Sequence, residues 1–70
     1  MQKEQLDNWF MYHSPSSNQL ITYGKLRSSA LEFARAINDL VPDCADKTAA
    51  IRKIREAVMT ANAAVACGGK

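Results

Sequence analysis

Reactive side chains are scarce here: 70 residues hold one histidine and two cysteines, and nothing gathers them into a cluster. Cys44 and Cys67 have no C-x-x-C partner, which excludes the usual zinc and thiol-redox motifs. G-x-S-x-G, H-E-x-x-H and the phosphate loop are all absent. The carboxylates Glu4, Asp7, Glu32, Asp39, Asp43, Asp46 and Glu56 are scattered rather than paired. The expectation is a protein that is not an enzyme, with no metal and no cofactor. No apolar run approaches the roughly 20 residues that cross a bilayer, and Met-Gln-Lys-Glu-Gln does not begin a signal peptide. Unpaired cysteines and no leader point to a reduced, cytoplasmic setting. Strand signals, internal repeats and low-complexity segments are missing too. The net charge of +2 and pI near 8.7 lack the dense basic stripe of a dedicated duplex-DNA binder. That mild excess permits a small anionic ligand without requiring one.

With hydrophobic residues at 47% and charged residues at 23%, the chain has the balance of a globular protein. Its length allows a single domain, residues 1–70, of a size at which oligomerisation is a common source of stability. The pattern is all-α: a short N-terminal helix, then a long antiparallel helical hairpin. Helix one is expected from about Lys3 to Tyr12, with Leu6, Trp9, Phe10 and His13 sharing a face and Pro15 ending it. Ser16-Ser17-Asn18-Gln19 reads as a capping box that opens helix two. Its apolar stripe runs Leu20, Tyr23, Leu26 or Arg27, Ala30, Phe33 or Ala34, Ile37, Leu40 and Val41, up to Pro42. Gly24 interrupts that helix at a cost of about 1 kcal/mol relative to alanine, the mark of a close approach by a helix or a ligand.

Asp43 is the expected cap of helix three, because Cys44 caps poorly. Ile51, Ile54, Val58, Ala61 and Val65 then follow a bundle seam, and Gly68-Gly69 supplies the stop. The two cysteines flank this helix and lie about 35 Å apart, too far to bridge within one chain. Asn62, polar amid alanines, is expected to hydrogen-bond across an interface. Two long helices and a short one leave apolar surface uncovered, so burial in a homo-oligomer is expected.

The candidate site starts from Phe10-Met11-Tyr12-His13-Ser14-Pro15 and from Lys25-Leu26-Arg27. A ring can stack on a base and a guanidinium can fork onto phosphate. Two readings stand for Tyr12 and His13: capping and packing at a helix end, or a stacking ring beside a hydrogen-bonding imidazole. Two also stand for Lys25 and Arg27, since neither has an acidic residue four positions on: a ligand-binding pair, or a solvated face. Lys47, Arg52, Lys53 and Arg55 read as a solvated face, with Arg52 and Glu56 spaced as an ion pair.

Phe10-x-Tyr12-His13-x-Pro15 with Gln19, Tyr23, Leu26-Arg27, Phe33-Ala34, Pro42 and the closing Arg55-Glu56-Ala57-Val58-Met59-x-Ala61-Asn62-Ala63-Ala64-Val65-Ala66 resembles the phage-encoded anti-CBASS cyclic-nucleotide sponge family. The resemblance runs from about Leu6 to Ala66. It implies an all-helical protomer assembled as a hexamer, a trimer of antiparallel dimers. It implies a protein that binds and sequesters cyclic oligonucleotide second messengers, such as 3′,3′-cyclic GMP–AMP, in the host bacterial cytosol. The ligand is held rather than cleaved. By position, Tyr12 stands for the base-stacking residue and Arg27 for the cation against phosphate. His13 and Pro15 shape the pocket wall, Lys25 adds charge, and a neighbouring protomer closes the site. Ser28 and Ser29 fall near a second family site, for cyclic trinucleotides. There the family often brings an arginine from the end of the last helix; this chain has Ala66-Cys67-Gly68 instead, which weighs against that site. No membrane and no nucleic-acid polymer is expected as a partner. The rival readings are a small helical DNA-binding module, a pure assembly or adaptor bundle, and a sponge for another nucleotide signal. Against the first, helix three opens on acidic Asp43-Cys44-Ala45-Asp46 where a recognition helix meets phosphates.

Overall fold

Three helices account for most of the chain, which a computed structural model describes over residues 1–70. Helix α1 spans Lys3–Phe10, α2 Ser17–Leu40 and α3 Ala45–Ala66. No strand occurs, as the sequence pattern implied. Helices α2 and α3 form the hairpin, and α1 folds back on the end of α3.

The start of α2 follows the local code. Ser16 Oγ accepts from the Gln19 main-chain N–H at 3.1 Å, and Gln19 Oε1 accepts from the Ser16 N–H at 2.9 Å. This reciprocal pair satisfies two donors that a helix start otherwise leaves open. The far end of α3 is equally regular. Gly69 N–H donates to Ala64 C=O and Gly68 N–H to Val65 C=O, with φ of 77° and 67° at the two glycines. That is a Schellman stop, and glycine is there because it enters the left-handed region without a Cβ clash.

Two boundaries differ from the sequence expectation. Helix α1 ends at Phe10, not near Tyr12. A continuing helix would send the Tyr12 N–H to the Asn8 carbonyl. The His13 imidazole takes that carbonyl instead, at 2.6 Å, and the chain turns extended at Met11. His13 therefore lies off the helix whose face it was expected to share. Helix α3 is capped by Cys44, not Asp43, and without a side-chain hydrogen bond. The Asp43 carboxylate is held by Lys47 Nζ at 2.8 Å, so it is not spent on the helix start.

The bundle seam is as the spacing implied: Ile51, Ile54, Val58, Ala61 and Val65 are all half-buried, facing half-buried Tyr23, Leu26, Ala30 and Ile37. Leu20, Phe33, Leu40 and Val41, placed in the same stripe, remain exposed. Along α2, Leu20 falls about 100° away from Leu26 and Ile37. Asn62 Oδ1 is occluded inside the chain and finds no hydrogen-bond partner there.

The molecule measures 45 × 29 × 15 Å, with a radius of gyration of 15.2 Å. A compact domain of this length would have about 11 Å. The smallest dimension barely exceeds one helix diameter of about 10–12 Å. The chain is thus a slab one helix thick, and not one of its residues is fully buried.

Candidate functional site

The segment between α1 and α2, residues 11–16, carries the expected ligand-binding tyrosine. It is extended and pinned at both ends. At the first end His13 Nε2 meets the Asn8 carbonyl, which can only accept, so that nitrogen carries the proton. The Cys67 thiol donates to the same carbonyl at 3.8 Å and lies 4.0 Å from the imidazole nitrogen. At the other end Ser16 is locked by the capping box. Pro15 fixes its own φ between them. Tyr12 stands on this strap 84% exposed as a residue.

The two readings of the Tyr-His pair thus divide. His13 takes the packing role, engaging α1 and the end of α3 through Nε2. Tyr12 takes no hydrogen bond and is free to stack. The Cys67–His13 proximity is no catalytic dyad, because the imidazole nitrogen nearest the thiol is a donor and cannot serve as its base. No three His, Cys, Asp or Glu side chains converge to hold a metal ion.

The strap sits on a junction that the sequence did not reveal. Asn8 Nδ2 donates to Cys67 C=O at 3.3 Å, Trp9 Nε1 to Lys70 C=O at 3.2 Å, Gln5 Nε2 to Lys70 C=O at 3.4 Å, and Gln19 Nε2 to Val65 C=O at 3.3 Å. These carbonyls belong to the C-terminal end of α3, where main-chain acceptors lack helical partners. Nothing local in the sequence marks such pairs, which span 46 to 65 residues.

On α2, Lys25 and Arg27 are both exposed and both free of ion pairs; the only ion pair is Lys47–Asp43. Arg52 and Glu56, spaced to pair, do not. Lys25 and Arg27 do not share a face, since residues two apart point to nearly opposite sides of a helix. Lys25 lies beside Ser28 and Ser29, three and four positions on. Arg27 lies on the side of Gly24, its Nη2 4.0 Å from where a Cβ on that glycine would stand. Ser28 and Ser29 are exposed, and Ser29 borders the shallow groove lined by Leu26, Ala30 and Phe33. Pro15 is exposed on the strap.

Within one chain these residues do not close a pocket. No hydrogen bond links Tyr12, Pro15, Lys25 or Arg27 to one another. A separate apolar cleft lies between α1 and the end of α3, against Trp9, Phe10, Met59, Ala63 and Cys67. A single protomer therefore offers a presented ring and an unpaired guanidinium. A family model described as "Acb2/Tad1, hairpin domain" matches residues 2–66. No curated protein and no solved structure gives a match.

Proposed function

The chain belongs to the Acb2/Tad1 hairpin family, the anti-CBASS cyclic-oligonucleotide sponges, and from that premise we propose that it binds cyclic dinucleotides such as 3′,3′-cyclic GMP–AMP between two protomers and holds them uncleaved. The observation that carries this reading is the pinned strap, which presents an exposed Tyr12 with no hydrogen bond to its side chain. Ordering such a ring in advance reduces the entropy lost on stacking. Base stacking is worth about 1–3 kcal/mol by alanine substitution, and Arg27, without an acidic partner, supplies a charge-assisted bond to phosphate.

The uncovered surface of the protomer fits the same reading. A slab with no buried residue has apolar surface to cover, and a hexamer built as a trimer of antiparallel dimers would cover it. A two-fold axis duplicates each residue, so one tyrosine and one arginine become two of each, matching two bases and two phosphates. His13 and Pro15 act by holding the strap. Lys25 sits with Ser28 and Ser29, so any charge it contributes belongs to the second, trinucleotide position rather than beside Arg27. The site of action is the host bacterial cytosol.

Isothermal titration with 3′,3′-cyclic GMP–AMP tests the proposal. The expected result is saturable binding near one ligand per two chains, with the nucleotide recovered intact by chromatography. Tyr12→Ala and Arg27→Ala each weaken binding by roughly 10- to 100-fold while leaving the assembly in place. Wild-type affinity in both variants would move the site elsewhere, and an absence of binding would favour the adaptor bundle.

A further inference from the structure

Helix α1 meets the end of α3 through a polar centre. Of its eight residues only Asn8 is half-buried, while Leu6, Trp9 and Phe10 remain 43%, 49% and 83% exposed. On the strap only His13 is half-buried, and at the end of α3 Cys67 is half-buried too. The three meet around Asn8. Asn8 Nδ2 donates to the Cys67 carbonyl at 3.3 Å, and the Cys67 thiol donates back to the Asn8 carbonyl at 3.8 Å. The same carbonyl takes His13 Nε2 at 2.6 Å. Asn8 thus holds the strap with its main chain and α3 with its side chain.

A helix of eight residues does not persist in water without partners. With its apolar side chains left exposed, α1 is placed by directional bonds, and a satisfied polar centre fixes one geometry where apolar contact would allow several. The Asn8 carbonyl is open to His13 because α1 stops at Phe10. His13 follows Tyr12 directly in the chain, so holding the imidazole restricts the backbone that carries the tyrosine. Asn8 itself makes no hydrogen bond to Tyr12.

We infer that Asn8 is a positioning residue for Tyr12: its side-chain amide docks α1 on α3, and docked α1 holds the strap through the Asn8 carbonyl. Residues 3–13 then order as one unit, and Tyr12 is set when that unit is in place. A ligand gripped by Tyr12 favours docked α1, and docked α1 favours the ligand by the same factor. That linkage rests on the cyclic-dinucleotide reading; the positioning of Tyr12 by Asn8 does not.

Limited chymotrypsin digestion of the full chain, read by mass spectrometry, tests the positioning without a ligand. Cleavage after Tyr12 reports the strap, and cleavage after Tyr23, on α2, is the internal control. Asn8→Ala is expected to raise the rate at Tyr12 by roughly fivefold and to leave Tyr23 unchanged. Asn8→Asp keeps the size, removes the donor and sets a negative charge against the C-terminal end of α3, so it should match alanine. The emission of Trp9, the only tryptophan, should shift to the red in both variants as α1 leaves the Lys70 carbonyl. Should Tyr23 also be cut faster in the alanine variant, Asn8→Ser, which retains a hydroxyl donor, decides, with a rise of about twofold expected at Tyr12 alone. Wild-type cleavage at Tyr12 in the alanine variant, or in the serine variant if that one must decide, overturns the positioning role. Wild-type behaviour of Asn8→Asp overturns it as well, because packing and not the amide would then hold α1. Adding 3′,3′-cyclic GMP–AMP is expected to slow cleavage at Tyr12 and to return the Trp9 emission of Asn8→Ala toward that of the wild type, with affinity about threefold weaker by calorimetry. Equal affinity in the two proteins, despite faster cleavage in the variant, removes the linkage. If cleavage at Tyr12 quickens in Asn8→Ala yet no nucleotide binds the wild type, the positioning stands and the sponge reading falls.

Discussion

At the end of the slab that carries α1, four side chains reach over to main-chain carbonyls at the close of α3, and a capping box and a Schellman stop complete the set. At the opposite end, the turn through Pro42, Asp43 and Cys44 is held by one ion pair, and α3 begins without a side-chain cap. Only the tip joins the two helices of the hairpin; the other end ties α1 and the strap to them. Polar construction is concentrated where Tyr12 is presented, and the tip is left plain. The contrast teaches that the elaborate end serves more than closure of a helical turn: it fixes the strap.

The comparison breaks most severely at His13. His13→Ala leaves the Asn8 carbonyl without its imidazole donor and unpins the strap at that end. Loss of a partner for a part-buried acceptor costs about 1–3 kcal/mol. Thermal denaturation should show that loss, and calorimetry should show weaker cyclic-dinucleotide binding although His13 Nε2 faces away from solvent. Partial rescue by His13→Asn, which keeps a donor, would separate positioning from bulk packing. Ser16→Ala comes next. It removes the cap at the other end of the strap, for about 1 kcal/mol, read as a lower midpoint in urea.

The tip offers the opposite test. Cys44→Ser introduces a side chain that caps where the thiol does not, and it should stabilise by about 0.5–1 kcal/mol. A gain there of the size lost at Ser16 would show that the plain end is plain for want of a cap and not for want of room. The smallest effect belongs to Asp43. The hydrogen bond from Lys47, followed by its charge, holds this carboxyl below its ordinary value of 3.8. A folded-state value below the unfolded one means stability present above about pH 4 and lost as the pH falls through the folded value. Asp43→Asn should therefore melt slightly below wild type at neutral pH and converge with it in acid.

What was legible in the sequence was what depends on neighbours in the chain. Ser16 and Gln19 are three apart, and their box formed as read. The seam from Ile51 to Val65 needed only periodicity. Cys44 and Asp43 exchanged roles because two local partners competed for one carboxylate and Lys47 took it. Helix α1 stopped early for a reason its own spacing does not display: a side chain three positions beyond its last residue took the carbonyl that the next turn needed. The bonds from Gln5, Asn8 and Trp9 exist only once α1 has docked, and that from Gln19 only once α2 and α3 have paired. For the site, Tyr12 and Arg27 were legible as residue types in a familiar pattern. Their separation from Lys25, and the absence of a closed pocket in one chain, came only with the helix geometry.

The 15 Å thickness of the chain has a consequence for dosage. A protein with no interior of its own that paired with copies of itself would gain stability from them, and its folded fraction would rise with its own concentration. If copies cover one another's faces, the first chains made in a cell are the most exposed to proteolysis, and each later chain protects those before it. Accumulation then has a threshold. Below it, synthesis is largely wasted; above it, binding capacity appears abruptly, a useful property in a molecule whose effect depends on outnumbering what it holds.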